Sequence, residues 1–382
     1  MKEPIYVDHA ATSPIHPVVA NEMHTFMTTT FGNPSSIHSF GRKSRHALDE
    51  AREVIAKSIG AKESEIVFTS GGTEADNLAI VGIARANKDK GSHIITTSIE
   101  HHAVLHTCQF LEQQGFMLTY LPVGEDGVVS VEEVKKALRD DTILVTMMLG
   151  NNEVGSIQPI EEIAALLEDH QAYLHTDAVQ AFGAIPVSVA NLKVDALSVS
   201  GHKINGPKGT GFLYLKEGTK ITSVTHGGEQ ERKRRAGTEN VPGIFGLKHA
   251  VTLSLQEMEE KRDKYVEFKK ILTTTFKEQE ISFAINGHLD KTLPHIINIH
   301  FPGINVESFL VNLDLAGIAA SSGSACTAGS IDPSHVLVAM YGEDSERGKT
   351  SIRFSFGLGN TKEQIQTVAD ETVKIVKRMT RR

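Results

Sequence analysis

The chain has 382 residues, 40% hydrophobic and 23% charged, values of an ordinary globular protein with room for a sizeable core in two or three domains. A net charge of −8 argues against direct nucleic-acid binding, and two cysteines cannot build a disulfide framework or a four-thiolate metal site. The first residues carry no apolar leader core and no apolar run approaches membrane-spanning length, so a reducing cytoplasm and no membrane are expected.

Residues 5–7 read as a short strand, broken by the polar stretch from Asp8 to Pro14. Gly32-Asn33-Pro34-Ser35-Ser36 marks a loop. Ala47, Leu48, Ala51, Val54 and Ile55 recur at helical spacing and predict a helix over 44–59, ended by Gly60. From Glu65 onward the pattern becomes strand, loop, helix, repeated, with strands at 66–68, 94–96, 116–121, 143–148, 173–175 and 196–200. Ser130 with Glu133 predicts a capping box. Pro159 suits the first position of a helix. Such alternation predicts an α/β fold with a largely parallel sheet flanked by helices, binding its ligand outside the carboxyl ends of the strands. Thr73, His101, Asn152, Asp177 and Lys203 all fall at such ends. Beyond about Leu253 a long charged helix over 255–276 precedes strands at 296–299 and 351–354. A final helix is capped by Thr361 with Gln364. These elements predict a smaller α+β domain of residues 1–13 plus 258–382, beside a large domain of residues 14–257.

The chemistry centres on Ser200-Gly201-His202-Lys203, a buried strand running into a turn that presents one lysine. Desolvation there would pull the lysine's pKa down, as a Schiff-base amine requires; the plainer reading is a surface lysine in a glycine-rich turn. Asp177, about one βα step upstream, favours the first, because an aspartate beside a lysine-held pyridine ring is the usual partner of the ring nitrogen. Ser70-Gly71-Gly72-Thr73 puts free N–H groups and a hydroxyl at a helix start, an anion site or a plain N-cap. His101 suits ring stacking and acid–base work. His102 and His106 are four apart but lack an acidic third ligand, so no metal is expected. Arg353, in a strand, is either a carboxylate clamp or half of a structural salt bridge. The basic run from Arg232 to Arg235 reads as a solvated face. Cys326 sits in a loop of small residues suited to carrying a thiol, whereas Cys108 sits at helical spacing among leucines and reads as core.

Together the segments Asp8-His9-Ala10-Ala11-Thr12, Ser70-Gly71-Gly72-Thr73-Glu74, Glu100-His101, Asn151-Asn152-Glu153, Asp177 with Gln180, Ser200-Gly201-His202-Lys203, Arg235-Ala236-Gly237-Thr238, Ser321-Ser322-Gly323-Ser324-Ala325-Cys326 and Ser351-Ile352-Arg353 resemble the NifS/IscS-like cysteine desulfurases. The resemblance runs through nearly the whole chain. It implies the fold of type I enzymes dependent on pyridoxal 5'-phosphate. It further implies that Lys203 holds the cofactor, Asp177 pairs its ring nitrogen, Gln180 contacts the ring hydroxyl and His101 stacks on the ring. Thr73, Ser200 and His202 would bind the phosphate, joined by Thr238 from the other subunit of a homodimer, with Gly72 and Asn152 also at the cofactor. Asn33, Asn152 and Arg353 would hold L-cysteine. Lys203 would move the Cα proton and Cys326 would take the sulfur as a persulfide, releasing L-alanine. The implied acceptor is a sulfur-accepting protein, an iron-sulfur scaffold or a tRNA thiolation enzyme. Selenocysteine lyase, or another enzyme of this fold type, would share Lys203 and Asp177. A non-catalytic scaffold would lack the cofactor. The basic run before Ala236 and the carboxyl-terminal tail are where the chain departs from the family pattern.

Overall fold

Residues 4–322 and 333–380 are described by a computed structural model. The strands are β1 (Ile5–Tyr6), β2 (Ile66–Thr69), β3 (His93–Thr97), β4 (Met117–Leu121), β5 (Thr142–Thr146), β6 (Tyr173–Asp177), β7 (Ala196–Ser200) and β8 (Gly211–Leu215). After them come β9 (Ala284–Ile285), β10 (Ile296–His300), β11 (Ile318–Ala319) and β12 (Ser351–Ser355). The helices of the first half are α1 (Pro17–Thr29), α2 (Ser39–Ile59), α3 (Gly72–Ala86), α4 (His102–Gln113), α5 (Val131–Ala137), α6 (Ile160–Leu166) and α7 (Val189–Leu192). Those of the second are α8 (Val241–Gln256), α9 (Met258–Glu278), α10 (Val306–Leu315), α11 (His335–Tyr341), α12 (Arg347–Thr350) and α13 (Lys362–Thr380).

The central sheet has seven strands in the order β2-β8-β7-β6-β5-β3-β4. Its pairs from β7 through β4 are parallel, while β8 runs antiparallel to both β7 and β2. Every residue of β3, β5, β7 and β8 is buried, because helices cover both faces. This is the predicted mostly parallel α/β architecture. The one reversed strand follows the lysine turn: Gly206, Gly209 and Gly211 let the chain double straight back along β7. A Cβ on Gly211 would overlap the Val199 carbonyl, so the two strands meet at that turn only through glycine.

Elsewhere, short elements differ from expectation for local reasons. The Ser130 side chain makes no cap bond; Glu133 instead accepts from Lys136 at 2.7 Å, so the capping box does not form. Pro159 is the N-cap of α6 rather than its first residue. The helix expected over 255–276 is two helices, broken at Glu257. The break lets α8 pack on α1 and α2 while α9 turns away to pack on α13. The Thr361–Gln364 cap does form, with reciprocal bonds of 3.3 and 3.2 Å.

A second apolar cluster joins Ile5 and Val7 to Phe268, Phe276, Phe301, Phe309, Phe354 and Ile365. It lies against the antiparallel sheet β12-β10-β9 and the parallel pair β1-β11. The amino-terminal strand thus ends among carboxyl-terminal elements, and that places Asp8 to Thr12 beside Lys203. Among the described residues no helix is long and apolar enough to cross a membrane.

Candidate active site

Outside the carboxyl ends of β5, β6 and β7 lies a cavity of about 390 Å³. It is lined by Ala10, Ala11, Gly72, Thr73, Asp76, His101, Met148, Gly150, Asn152, Asp177, Val179, Gln180, Ser200, His202, Lys203 and Arg353. β7 delivers Lys203 through a single 3₁₀ turn, Gly201–Lys203. The ammonium donates to the carbonyls of Ala10 at 2.6 Å and Ala11 at 2.7 Å. The amino-terminal turn therefore parks the lysine at the cavity wall.

Asp177 ends β6, and its Oδ1 accepts from the Val179 N–H at 2.8 Å. Burial pushes its carboxyl up to about 6, against the pull of that N–H and of the Lys203 charge. Asp76, on α3, is also buried, and its Oδ1 has no hydrogen-bond partner among the described residues. Burial, and then the neighbouring Asp177, hold the Asp76 carboxyl well above the usual range. Two carboxyls in one dry space resist double ionisation, so the pair favours holding one proton. His175 backs them, its ring nitrogens 2.8 Å from the Thr146 hydroxyl and 2.9 Å from the Ser198 hydroxyl. Burial lowers that imidazole to about 3, so it stays neutral.

At the other end of the cavity α3 begins at Gly72, after Gly71 at φ +149°, a backbone region that favours glycine. Thr73, Ser200 and His202 line this end, where the N–H groups of a helix start attract an anion. His101 caps α4, its Nδ1 accepting from the Ala103 N–H at 3.1 Å, which leaves the proton of the neutral ring on Nε2. Burial, then the charge of Lys203, lowers His101 to about 4. Arg353, on β12, donates from Nη2 to Asp8 and from Nη1 to the Asn152 carbonyl, each at 2.8 Å. Its buried Nε has no partner among the described residues.

Ten candidate residues from the sequence thus meet in one cavity: Gly72, Thr73, His101, Asn152, Asp177, Gln180, Ser200, His202, Lys203 and Arg353. Two are not brought there. Asn33 is exposed, and its Oδ1 accepts from the Ser35 N–H at 2.8 Å. Thr238 is exposed too. Cys326 lies outside the described residues. Cys108 is on the buried face of α4, and burial pushes its thiol up.

His102, next to His101, stacks on His106 with ring centres 4.9 Å apart and meets the tilted ring of His335 at 4.8 Å. Among the described residues no group of His, Cys, Asp or Glu is arranged to hold a metal ion. The basic run is not simply a solvated face. Glu231 and Arg234–Arg235 fold inward: Arg52 grips Glu231 at 2.7 and 2.8 Å, and Arg235 grips Glu74 at 2.7 and 3.2 Å. Sequence reasoning passed over Asp8, the Ala10 and Ala11 carbonyls, and Asp76. Asp76 had a signal, an acidic side chain on the apolar face of α3 one turn beyond Thr73; the carbonyls had none.

The sequence pattern of the aminotransferase class-V family matches residues 5–368. The chain is 62% identical over 378 residues to IscS 1 of Bacillus subtilis (strain 168), covering 99% of this chain and 100% of that one. It is 50% identical over 376 residues to the cysteine desulfurase IscS of Methanosarcina thermophila, covering 98% and 92%. Among solved structures, a NifS-like protein superposes with a TM-score of 0.92 at 36% identity, over 98% of this chain and 99% of that one.

Proposed function

The chain belongs to the aminotransferase class-V family, and we infer that it is a cysteine desulfurase dependent on pyridoxal 5'-phosphate, taking sulfur from L-cysteine and releasing L-alanine. The observation that carries this reading is one cavity holding an amine, a buried carboxyl and a helix start: Lys203, Asp177 and Gly72–Thr73. That donor set fits the aldehyde, the ring nitrogen and the phosphate of the cofactor. When bound, pyridoxal phosphate supplies an electron sink for charge developing at the substrate Cα.

The residues then divide the work. Asp177 would pair with the ring nitrogen, Gln180 would reach the ring hydroxyl, and His101 would pack over the ring. Thr73, Ser200 and His202 would hold the phosphate, with Gly72 and Asn152 completing the wall. Lys203 would hold the cofactor, and its amine is placed to move the substrate Cα proton. Arg353 exchanges Asp8 for the substrate carboxylate, assisted by Asn152 and Asn33. Cys326 takes the sulfur, and with Cys108 buried it is the remaining thiol of the two. Its thiolate attacks the substrate sulfur, an S–S bond forms and the C–S bond breaks, and the carbon takes the electron pair and a proton.

Thr238, exposed in one protomer, serves the phosphate of its partner in a homodimer. A sulfur-accepting protein, an iron-sulfur scaffold or a tRNA thiolation enzyme, takes the persulfide onward in a reducing cytoplasm. We divide the chain into a cofactor domain, 14–257, and a smaller domain, 1–13 with 258–382, that carries Arg353 and Cys326. Lys203→Ala should abolish turnover of L-cysteine and alter the visible absorption of the protein–cofactor complex. Wild-type turnover and absorption in that variant would overturn the assignment.

A further inference from the structure

We propose that His295 is a positioning residue: it holds the side-chain oxygen of Gln180, so that Gln180 meets the cofactor's ring hydroxyl only as a donor. The inference rests on the reading of Gln180 as the group that reaches that hydroxyl. Gln180 is buried and lines both the active-site cavity and a smaller pocket that His295 also lines.

The amide of Gln180 has two different ends, and its surroundings decide which end faces where. Nε2 lies 2.8 Å from the Ala10 carbonyl, which can only accept, so the amide nitrogen must point there. Oε1 then lies 3.3 Å from His295 Nε2. That contact requires the imidazole to donate, which puts its proton on Nε2. No acceptor among the described residues meets the buried Nδ1, so nothing draws the proton to that side. With Oε1 taken by His295, the capacity that Gln180 has left is the second hydrogen of Nε2.

His295 is firmly mounted. Its carbonyl accepts from the Phe356 N–H at 2.8 Å, and two residues earlier the Leu293 N–H donates to the Gly155 carbonyl at 2.7 Å. Lys269, on α9, donates to the Leu293 carbonyl at 2.7 Å. The ring is also neutral: burial, then the charge of Lys269 and the neighbouring His9, Lys203 and Arg353, lowers it to about 3. It therefore offers one proton at one fixed place throughout the working pH range. No other donor among the described residues reaches Gln180 Oε1. A buried amide oxygen left without a donor is costly and turns toward the next one available. Lys203 is that donor, since its ammonium and Gln180 share the Ala10 carbonyl as acceptor. Such a turn draws Gln180 off the ring hydroxyl and engages the amine that the chemistry needs free.

A donor beside the ring hydroxyl stabilises its ionised oxygen and so lowers the pH at which the bound cofactor gives up its proton. The test is a pH titration of the visible absorption of the holoenzyme, which reads that proton without turnover. His295→Phe should move the midpoint up by about half a pH unit or more, and His295→Leu, equally unable to donate, should do the same. His295→Gln, whose amide can still donate to Oε1, should stay within about 0.2 unit of wild type. Gln180→Ala should raise the midpoint at least as far as His295→Phe, and combining the two should add nothing, because His295 acts through Gln180. A wild-type midpoint in either apolar variant, an equal rise in His295→Gln, or additive shifts in the double variant would overturn the positioning role alone. A wild-type midpoint in Gln180→Ala would instead overturn the reading of Gln180, and this inference with it.

Discussion

Two buried arginines, each paired with a carboxylate far away in sequence, behave as opposites. Arg52 meets Glu231 fork to fork, with side chains 7% and 2% exposed. Arg52 also donates to the Ile66 carbonyl, and Glu231 accepts the Phe68 N–H, so both ends of the pair are held by further buried partners. Arg353 meets Asp8 through one nitrogen and one oxygen, spends a second nitrogen on a carbonyl, and opens onto the cavity. The chemistry of the two pairs is the same. What separates a staple from a clamp is hydrogen-bonding capacity left over beside empty space.

Breaking the staple should have the largest effect on stability. Glu231→Ala leaves Arg52 charged and buried, a loss of about 3–5 kcal/mol. Residues 231–233 all hold positive φ, from 47° to 68°, without being glycine, so the same carboxylate also secures a strained turn. Urea unfolding should show the drop while KM for L-cysteine stays unchanged. A raised KM with wild-type stability would dissolve the contrast.

Next comes the clamp. Arg353→Ala should lower kcat/KM for L-cysteine by about 1.5–3 kcal/mol, with the cofactor absorption kept. Arg353→Lys should not restore it, since a lysine lacks the planar fork. Unchanged kinetics would make this pair a second staple.

Glu100 sharpens the contrast further, as a buried carboxyl satisfied without arginine. It accepts from Thr97 at 2.6 Å and from the Met148 N–H at 2.9 Å, and burial pushes it up to about 8. A carboxyl raised in the fold binds more protons folded than unfolded, so stability falls as pH rises from about 4.5 to about 8. Glu100→Gln removes that titration. Its stability advantage over wild type should widen by up to about 1.4 kcal/mol per pH unit across the window. A constant difference would show that Glu100 is ionised throughout.

Sequence reasoning reached the catalytic wall and missed the staple for one reason. Lys203, Asp177 and Thr73 each end a strand or begin a helix, so local pattern plus the rule for parallel sheets locates them. Arg52 and Glu231 are 179 residues apart, and no local period links them. The same holds for His9, whose imidazole packs against Gly357 near the other end of the chain. Pro159 and Ser130 carried the right residue types for their caps. In the fold, Pro159 sits one position earlier, and the carboxylate of Glu133 goes to Lys136. Glu257 shows the remaining limit: a helical pattern does not reveal that its two halves pack against different cores.

The most direct measurement is mass spectrometry of the intact holoenzyme after a single pulse of L-cysteine. The expected result is one added sulfur on Cys326, matched by released L-alanine, with Cys108 unmodified. Alanine released without that sulfur, or sulfur found on Cys108 instead, would contradict it.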